Sequence, residues 1–305
     1  MIKTFSIGVD IGGTRTKYGL VDECLGNVVQ QVIFPTEKND AHLFLKQVEG
    51  VINDFNDSVS PLQYDIGSIG FGIPGFINEE NVIITTYGFL SFMENYPLKD
   101  IVEKKFNIPC LMDNDARTVG LGEALYGEGR NYKRVLTLTL GTGVGFGFVV
   151  NGKFTDPLPL SHMGGHMKIL ENGALCYCGK TGCLEALLSS TGIINLAKIN
   201  HWNGQLSAEA IFEAAFHKDV IAVKVVDHFI NCLQTGIYNY VNLFAPDMIV
   251  LGGGIAQSLH PYFDRIKSEN YLLPYPGYSF ELRISKLGEL SGILGSAALF
   301  QLNKL

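Results

Sequence analysis

The chain has 305 residues, 47% of them hydrophobic and 17% charged, which supports a large core and excludes intrinsic disorder. Its net charge of −7 comes without a basic stripe, which argues against a nucleic-acid partner. Glycine is in excess, at 35 residues against 11 prolines and with no collagen-like period, so the glycines belong inside folded structure, at tight turns or against a ligand.

A length of 305 residues suits two domains packed around a cleft. No apolar run reaches the ~18 residues of a membrane span, and no signal-peptide core precedes Asp10, so no membrane partner and a cytoplasmic location are expected. In that compartment the 6 cysteines read as thiols or metal ligands rather than disulfides.

In chain order, residues 3–9 predict a strand that ends in Asp10 and the turn Gly12-Gly13-Thr14. Strands at 17–21 and 28–34 continue it as a hairpin meander. Apolar residues at helical spacing (Leu43, Leu45, Val48, Val51, Ile52, Phe55) predict a helix over 41–55. A short buried strand at 66–71 leads to the turn Ile73-Pro74-Gly75, then a helix at 98–106. A strand at 110–112 delivers Asp113, Asn114 and Asp115 to a helix at 116–126.

The pattern then resets. A strand at 134–140, the turn 141–145 and a strand at 146–150 with Asn151-Gly152 as the next hairpin turn repeat the opening in outline, which suggests a duplicated domain. A Cys-rich irregular stretch, 162–183, is followed by helices at 184–198, 207–218 and 220–243. A strand at 248–251 runs into Gly252-Gly253-Gly254, and a last helix covers 291–302.

Three glycine clusters, Gly12-Gly13-Thr14, Gly141-Thr142-Gly143 and Gly252-Gly253-Gly254, therefore follow strands. Converging backbone N–H groups without side-chain bulk suit phosphate oxygens, although any one cluster could be plain hairpin chemistry. The dinucleotide fingerprint fails because Phe146 stands where its last glycine is required, and the Walker A pattern fails at Ala174. Asp10 could hold Mg²⁺ beside the first turn or accept turn amides. Asp115 could act as a general base or cap the helix that follows it, and its spacing alone favours the cap. His166, Cys176, Cys178 and Cys183 offer one imidazole and three thiolates, a closed zinc set that reads as structural because it leaves no open position for water. Gly179 and Gly182 supply the turns around it.

These elements in this order resemble the ROK family of sugar kinases, glucokinase and N-acetylhexosamine kinase among them, over essentially the whole chain. The segment Asp10 to Thr14 resembles the family's first phosphate motif and Leu140 to Gly145 its second. Asn114-Asp115-Ala116 resembles its catalytic segment, and the stretch from Cys176 to Glu185 matches its C-x-C-G-x-x-G-C-x-E signature. Leu251 to Gly254 resembles the adenosine-side turn.

The resemblance implies an α/β chain with the actin-like ATPase (ribonuclease H-like) fold, two domains around a cleft and a zinc-binding loop at 162–185. The expected domains are 1–115 plus 290–305, the smaller, and 116–289, the larger. It implies an ATP-dependent phosphotransferase acting on a hydroxyl, usually the 6-hydroxyl, of a hexose or N-acetylhexosamine. Asp115 becomes the general base, overturning the cap. Asp10, Gly12, Gly13, Thr14, Gly141, Thr142, Gly143, Gly253 and Gly254 hold ATP and Mg²⁺. Asn114, His166 and Glu185 contact the sugar, and His166 also ligates a structural Zn²⁺. A homo-oligomer, commonly a dimer, is the family habit. Three departures bear on the sugar. Met163 replaces a sugar-binding Glu three residues before His166, Arg117 stands where Asn is common, and Gly88 lies where another sugar-binding Asn is expected. Met163 also motivates the alternative of a non-catalytic sugar- or nucleotide-sensing protein. A transcriptional repressor of the same family ranks last, since that branch carries an N-terminal DNA-binding domain.

Overall fold

The protein is described here from a computed structural model covering residues 4–62, 64–155, 159–268 and 276–303. Residue 3 of the first expected strand lies outside these.

The chain opens with β1 (Thr4–Ile11), β2 (Arg15–Asp22) and β3 (Asn27–Pro35), an antiparallel meander. Helix α1 (Ala41–Val59) starts at Asp40, whose carboxylate accepts the backbone N–H groups of His42 and Leu43. It crosses to β4 (Asp65–Ile73), which pairs parallel to β1. After the short pair β5 (Phe76–Ile77) and β6 (Ile83–Thr85), α2 (Leu98–Phe106) returns the chain to β7 (Cys110–Asn114), parallel to β4. Helix α3 (Asp115–Tyr126) follows without a loop. The sheet order is β3-β2-β1-β4-β7.

The second sheet repeats this plan. It consists of β8 (Arg134–Leu140), β9 (Val144–Val150), β10 (Lys153–Phe154), β11 (Met248–Gly252) and β12 (Glu281–Ile284), in the order β10-β9-β8-β11-β12. As in the first sheet, a three-stranded meander is extended by strands parallel to its first member. The duplication suggested by two Gly/Thr hairpins is thus present in the topology. Between β10 and β11 lie α4 (Leu184–Leu188), α5 (Ser190–Ile199), α6 (Ala208–Phe216) and α7 (Val220–Phe244). Helices α8 (Gly254–Gln257) and α9 (Phe263–Ile266) follow β11, and α10 (Leu290–Ala297) ends the helical set.

Strands β1 and β4 are buried along nearly their whole length, as expected for central strands covered on both faces. One cover is α10. A Cβ on Gly8 would lie 1.9 Å from the Ile293 carbonyl oxygen, and one on Gly70 1.8 Å from that of Ser296. Part of the glycine excess therefore serves close helix-on-sheet packing, a use the sequence did not advertise.

Three differences from expectation have clear causes. The helix expected over 184–198 breaks at Ser189, which is extended (φ −76, ψ 160) and caps α5 by accepting the Gly192 backbone N–H. Helix α7 is 25 residues long and apolar enough by composition to cross a membrane, although polar residues interrupt its apolar run. Its apolar side, including Val226, Phe229, Leu233 and Ile237, is buried, as in a core helix. Finally, the chain divides into residues 1–131, 147–162 and 289–305 in one unit and 132–146 and 163–288 in the other. Helix α3 belongs with the first unit, not with 116–289, because it packs tightly on α10: a Cβ on Gly122 would lie 2.1 Å from the Ser291 carbonyl oxygen.

Candidate active site and metal centre

In the first unit the parallel strands β1, β4 and β7 bring their carboxyl ends to one edge of the sheet. Asp10 is in register with Gly72, and Ile73 with Asn114. In open α/β sheets this edge is where ligands bind.

Asp10 is buried, and its Oδ2 accepts a hydrogen bond from Lys17 Nζ at 2.9 Å. Lys17, on β2, was not singled out from the sequence. Its signal was the period-2 alternation that puts it opposite Asp10 in the β1–β2 register. The turn between these strands closes through a hydrogen bond from the Gly12 N–H to the Arg15 carbonyl. Thr36 braces it: its hydroxyl donates to the Gly12 carbonyl at 2.7 Å, and its N–H donates to the Thr14 carbonyl.

The expected cap at the start of α3 is made by Asn114, not Asp115. Asn114 Oδ1 accepts the backbone N–H groups of Ala116 and Arg117 at 3.0 and 3.2 Å, and its Nδ2 donates to the Gly75 carbonyl at 3.0 Å. The amide expected to bind sugar is thus largely committed to holding the turn, with one further N–H to offer. Asp115 is the first helical residue, and its Oδ1 accepts the Ala116 N–H at 2.9 Å. Burial, and then the negative charge of Asp10, push the Asp115 carboxyl up to about 7, while the Ala116 N–H and Lys17 oppose them. A carboxyl poised near neutrality at this edge fits a general base.

In the second unit the turn after β8 is held by the Gly141 N–H donating to the Gly143 carbonyl, and by the N–H and hydroxyl of Ser190 donating to the Gly141 carbonyl. Ser190 was another residue missed in the sequence. Glu185, on α4, is buried with its carboxyl about 3.5 Å from where a Gly143 Cβ would stand, and burial raises it to about 7 against the Val144 N–H that lowers it. Gly253 follows β11 at the N-cap of α8, which Gly254 opens. Gly253 has φ +84 and would clash with the Leu140 carbonyl if it carried a side chain.

The glycine turns also bear on what they could hold. Around Gly13, Gly141 and Gly254 a Cβ would meet no protein atom within 4 Å, and none of the three has a positive φ. Nothing among the described residues requires glycine there. An open backbone surface rich in N–H groups fits the phosphates of a nucleotide. The buried Asp10 carboxylate beside one such surface fits Mg²⁺ or its water shell.

The metal cluster assembles as expected. The ligand atoms of His166, Cys176, Cys178 and Cys183 all lie within 4.8 Å of one another. His166 Nδ1 is 3.5 Å from Cys176 Sγ, and Cys178 Sγ is 3.6 Å from Cys183 Sγ. Tetrahedral zinc with its usual bond lengths requires ligand edges of about 3.6 Å (N to S) and about 3.8 Å (S to S), so the donor set fits that ion. Gly182 has φ +76, and a Cβ there would lie 1.7 Å from the Leu170 carbonyl oxygen, so the loop cannot close with another residue. Burial disfavours the charged form of the His166 imidazole, the direction that ligation requires. Its Nε2 lies 3.0 Å from the Tyr177 hydroxyl, an outer partner that the sequence did not reveal.

The chain is similar to known proteins over nearly its whole length. The profile of the ROK family matches residues 6–303. The glucokinase of Halalkalibacterium halodurans is 34% identical over 95% of this chain and 92% of its own length. The xylose repressor of Bacillus spizizenii is 27% identical over 97% of this chain but only 76% of its own length. A solved ROK glucokinase from Streptomyces griseus, in complex with glucose and AMPPNP, superposes with a TM-score of 0.80 at 25% identity, covering 97% of this chain and 98% of that one.

Proposed function

The chain belongs to the ROK family and is an ATP-dependent sugar kinase with the actin-like ATPase fold, and we propose that it phosphorylates the 6-hydroxyl of a hexose or N-acetylhexosamine. The observation that carries the proposal is Asp115. It is relieved of capping by Asn114, tuned to about 7, and carried on the same sheet edge as Asp10, Lys17 and the 12–14 turn.

In this reaction Asp115 accepts the proton of the acceptor hydroxyl as its oxygen attacks the γ-phosphorus of ATP. The bond from that phosphorus to the bridging oxygen breaks, and ADP leaves with the electron pair. Asp115 then releases its proton to solvent. The backbone N–H groups of Gly13 and Thr14 in the first unit, and of Thr142 and Gly143 in the second, would hold phosphate oxygens, with the Gly12 and Gly141 N–H groups closing the two turns, and 253–254 would serve the nucleoside side. Asp10 would hold Mg²⁺ or its water shell; that ion, when bound, supplies charge neutralisation along the phosphates. Lys17 keeps Asp10 oriented and adds positive charge to an acidic edge. Glu185, His166 and the second N–H of Asn114 are the candidates for sugar hydroxyls. Zn²⁺ at His166, Cys176, Cys178 and Cys183 would fix the loop that carries His166 and leads into Glu185.

The net charge of −7 makes long-range attraction of ATP unfavourable, so local N–H groups and Mg²⁺ must supply the binding. A coupled ADP-release assay over hexoses, N-acetylhexosamines and their 6-deoxy analogues tests the proposal. Turnover confined to sugars that carry a 6-hydroxyl is expected. Turnover of a 6-deoxy sugar overturns the position, and no turnover on any sugar with folded, zinc-loaded protein overturns the activity.

A further inference from the structure

Arg117 lies in the first turn of α3, two residues after the general base, and is only 3% exposed. Both facts are unfavourable. A cation near a helix N-terminus opposes the helix dipole, and a buried guanidinium must recover its lost hydration. Contacts among the described residues compensate. Arg117 Nε donates to Asp113 Oδ1 at 2.8 Å, and its guanidinium lies over the Phe154 ring of β10 at 4.0 Å from the centroid.

Asp113 is the other half of the arrangement. Its Oδ1 also accepts the Asn114 backbone N–H at 2.6 Å. Burial raises the Asp113 carboxyl, and the Arg117 charge and hydrogen bond, together with the Asn114 N–H, oppose that rise. Asn114 in turn holds the N–H groups of Ala116 and Arg117. The residues on both sides of Asp115 are therefore tied into one loop of contacts that closes through Arg117. The stack on Phe154 joins this loop to the β9–β10 hairpin, where a Cβ on Gly147 would lie 3.0 Å from the Ala116 carbonyl oxygen.

Buried ion pairs are poor sources of stability, since neutral replacements of similar shape often fold as well or better. Orientation is the better account of this one. We propose that Arg117 is a positioning residue for the general base: acting through Asp113 and anchored on Phe154, it fixes the direction in which Asp115 faces the acceptor hydroxyl. This rests on Asp115 being the base of a sugar kinase, and the test separates the two claims.

The wild-type protein is first assayed on the sugar panel, and its turnover judges the kinase assignment alone. Four variants then judge Arg117: R117A, R117K, F154L and the neutral pair D113N/R117Q. Misplacing a catalytic group by about 1 Å can cost ~100-fold, so R117A and the neutral pair are expected to lose about 10- to 100-fold in kcat with KM for ATP within about twofold. R117K, which keeps the charge but loses the planar fork and the stack, should recover only part of the loss. F154L, which keeps the ion pair, should lose about threefold or more through the loosened anchor. The decisive comparison is the neutral pair, whose melting temperature should match the wild type while kcat stays low. Full kcat in the neutral pair or in F154L overturns the proposal, even if R117A fails to fold. The ¹³C carboxyl resonance of Asp115 gives a readout independent of turnover. It should move in the neutral pair and in F154L, and an unmoved resonance in both also overturns the proposal.

Discussion

The charge on Asp10 opposes ionisation of Asp115, and together with burial it brings that carboxyl to about 7. Asp10 is the penultimate residue of β1 and Asp115 the first of α3, on one edge of the first sheet. The active form of a general base is the unprotonated one. Activity should therefore rise with pH through about 7 as Asp115 loses its proton, and fall away below that point. Lys17 works in the opposite direction to Asp10, so K17M should move the acidic limb of the kcat/KM profile to higher pH. A pH–rate profile of both proteins checks the sign. A limb that stays in place in K17M, or one centred in the ordinary carboxylate range in wild type, removes Asp115 from the role.

Replacing Asp115 with Asn should separate activity from stability. Transfer should drop by about 1000-fold or more, in line with losing a positioned base, while the KM for ATP changes little. The folded carboxyl binds its proton more tightly than the unfolded one, so this group favours the fold at low pH. That contribution is lost as pH rises from the unfolded value toward about 7. D115N removes the penalty and should melt higher than wild type at pH 8, with a smaller difference at pH 5. Thermal melts at the two values check this.

The phosphate turns make a prediction about nucleotide alone. A Cβ on Gly13 or Gly141 would meet no protein atom within 4 Å, so G13A and G141A should fold with unchanged melting temperature. If phosphate approaches these backbones, each methyl should still weaken ATP about tenfold or more, the scale of one hydrogen bond to a charged group. Binding of a non-hydrolysable ATP analogue, measured calorimetrically, checks both.

The metal loop should fail as a unit. Replacing Cys178 with Ser leaves three ligands of four, and should lower zinc below stoichiometric content and the melting temperature by about 5 °C or more. Metal analysis and thermal melts of C178S measure both. Stoichiometric zinc with an unchanged melt removes Cys178 from the ligand set.

Much of this was legible in the sequence because its signals are local. The zinc set is compact, His166 apart from three cysteines within eight residues, and its spacing implied the cluster that the chain forms. The hairpin turns and the doubled meander were visible as glycine and threonine following apolar runs. What was not legible depended on partners distant in sequence. Asn114, not Asp115, caps α3 because the turn geometry aims the amide at two N–H groups, which composition cannot report. Lys17 declares itself only once β1 and β2 pair, and Gly8 and Gly70 only once α10 lies on the sheet. The break at Ser189 was missed because an apolar helical pattern runs through it, and only the cap on Gly192 shows the stop.

The most direct test of the account is phosphate transfer itself, measured as sugar phosphate and ADP formed from ATP, Mg²⁺ and the sugar panel, with wild type and D115N side by side. Stoichiometric sugar 6-phosphate and ADP from wild type, with transfer abolished and ATP binding retained in D115N, is the predicted result. Transfer by D115N at a rate close to wild type, or none by wild type on any sugar in the panel, would contradict it.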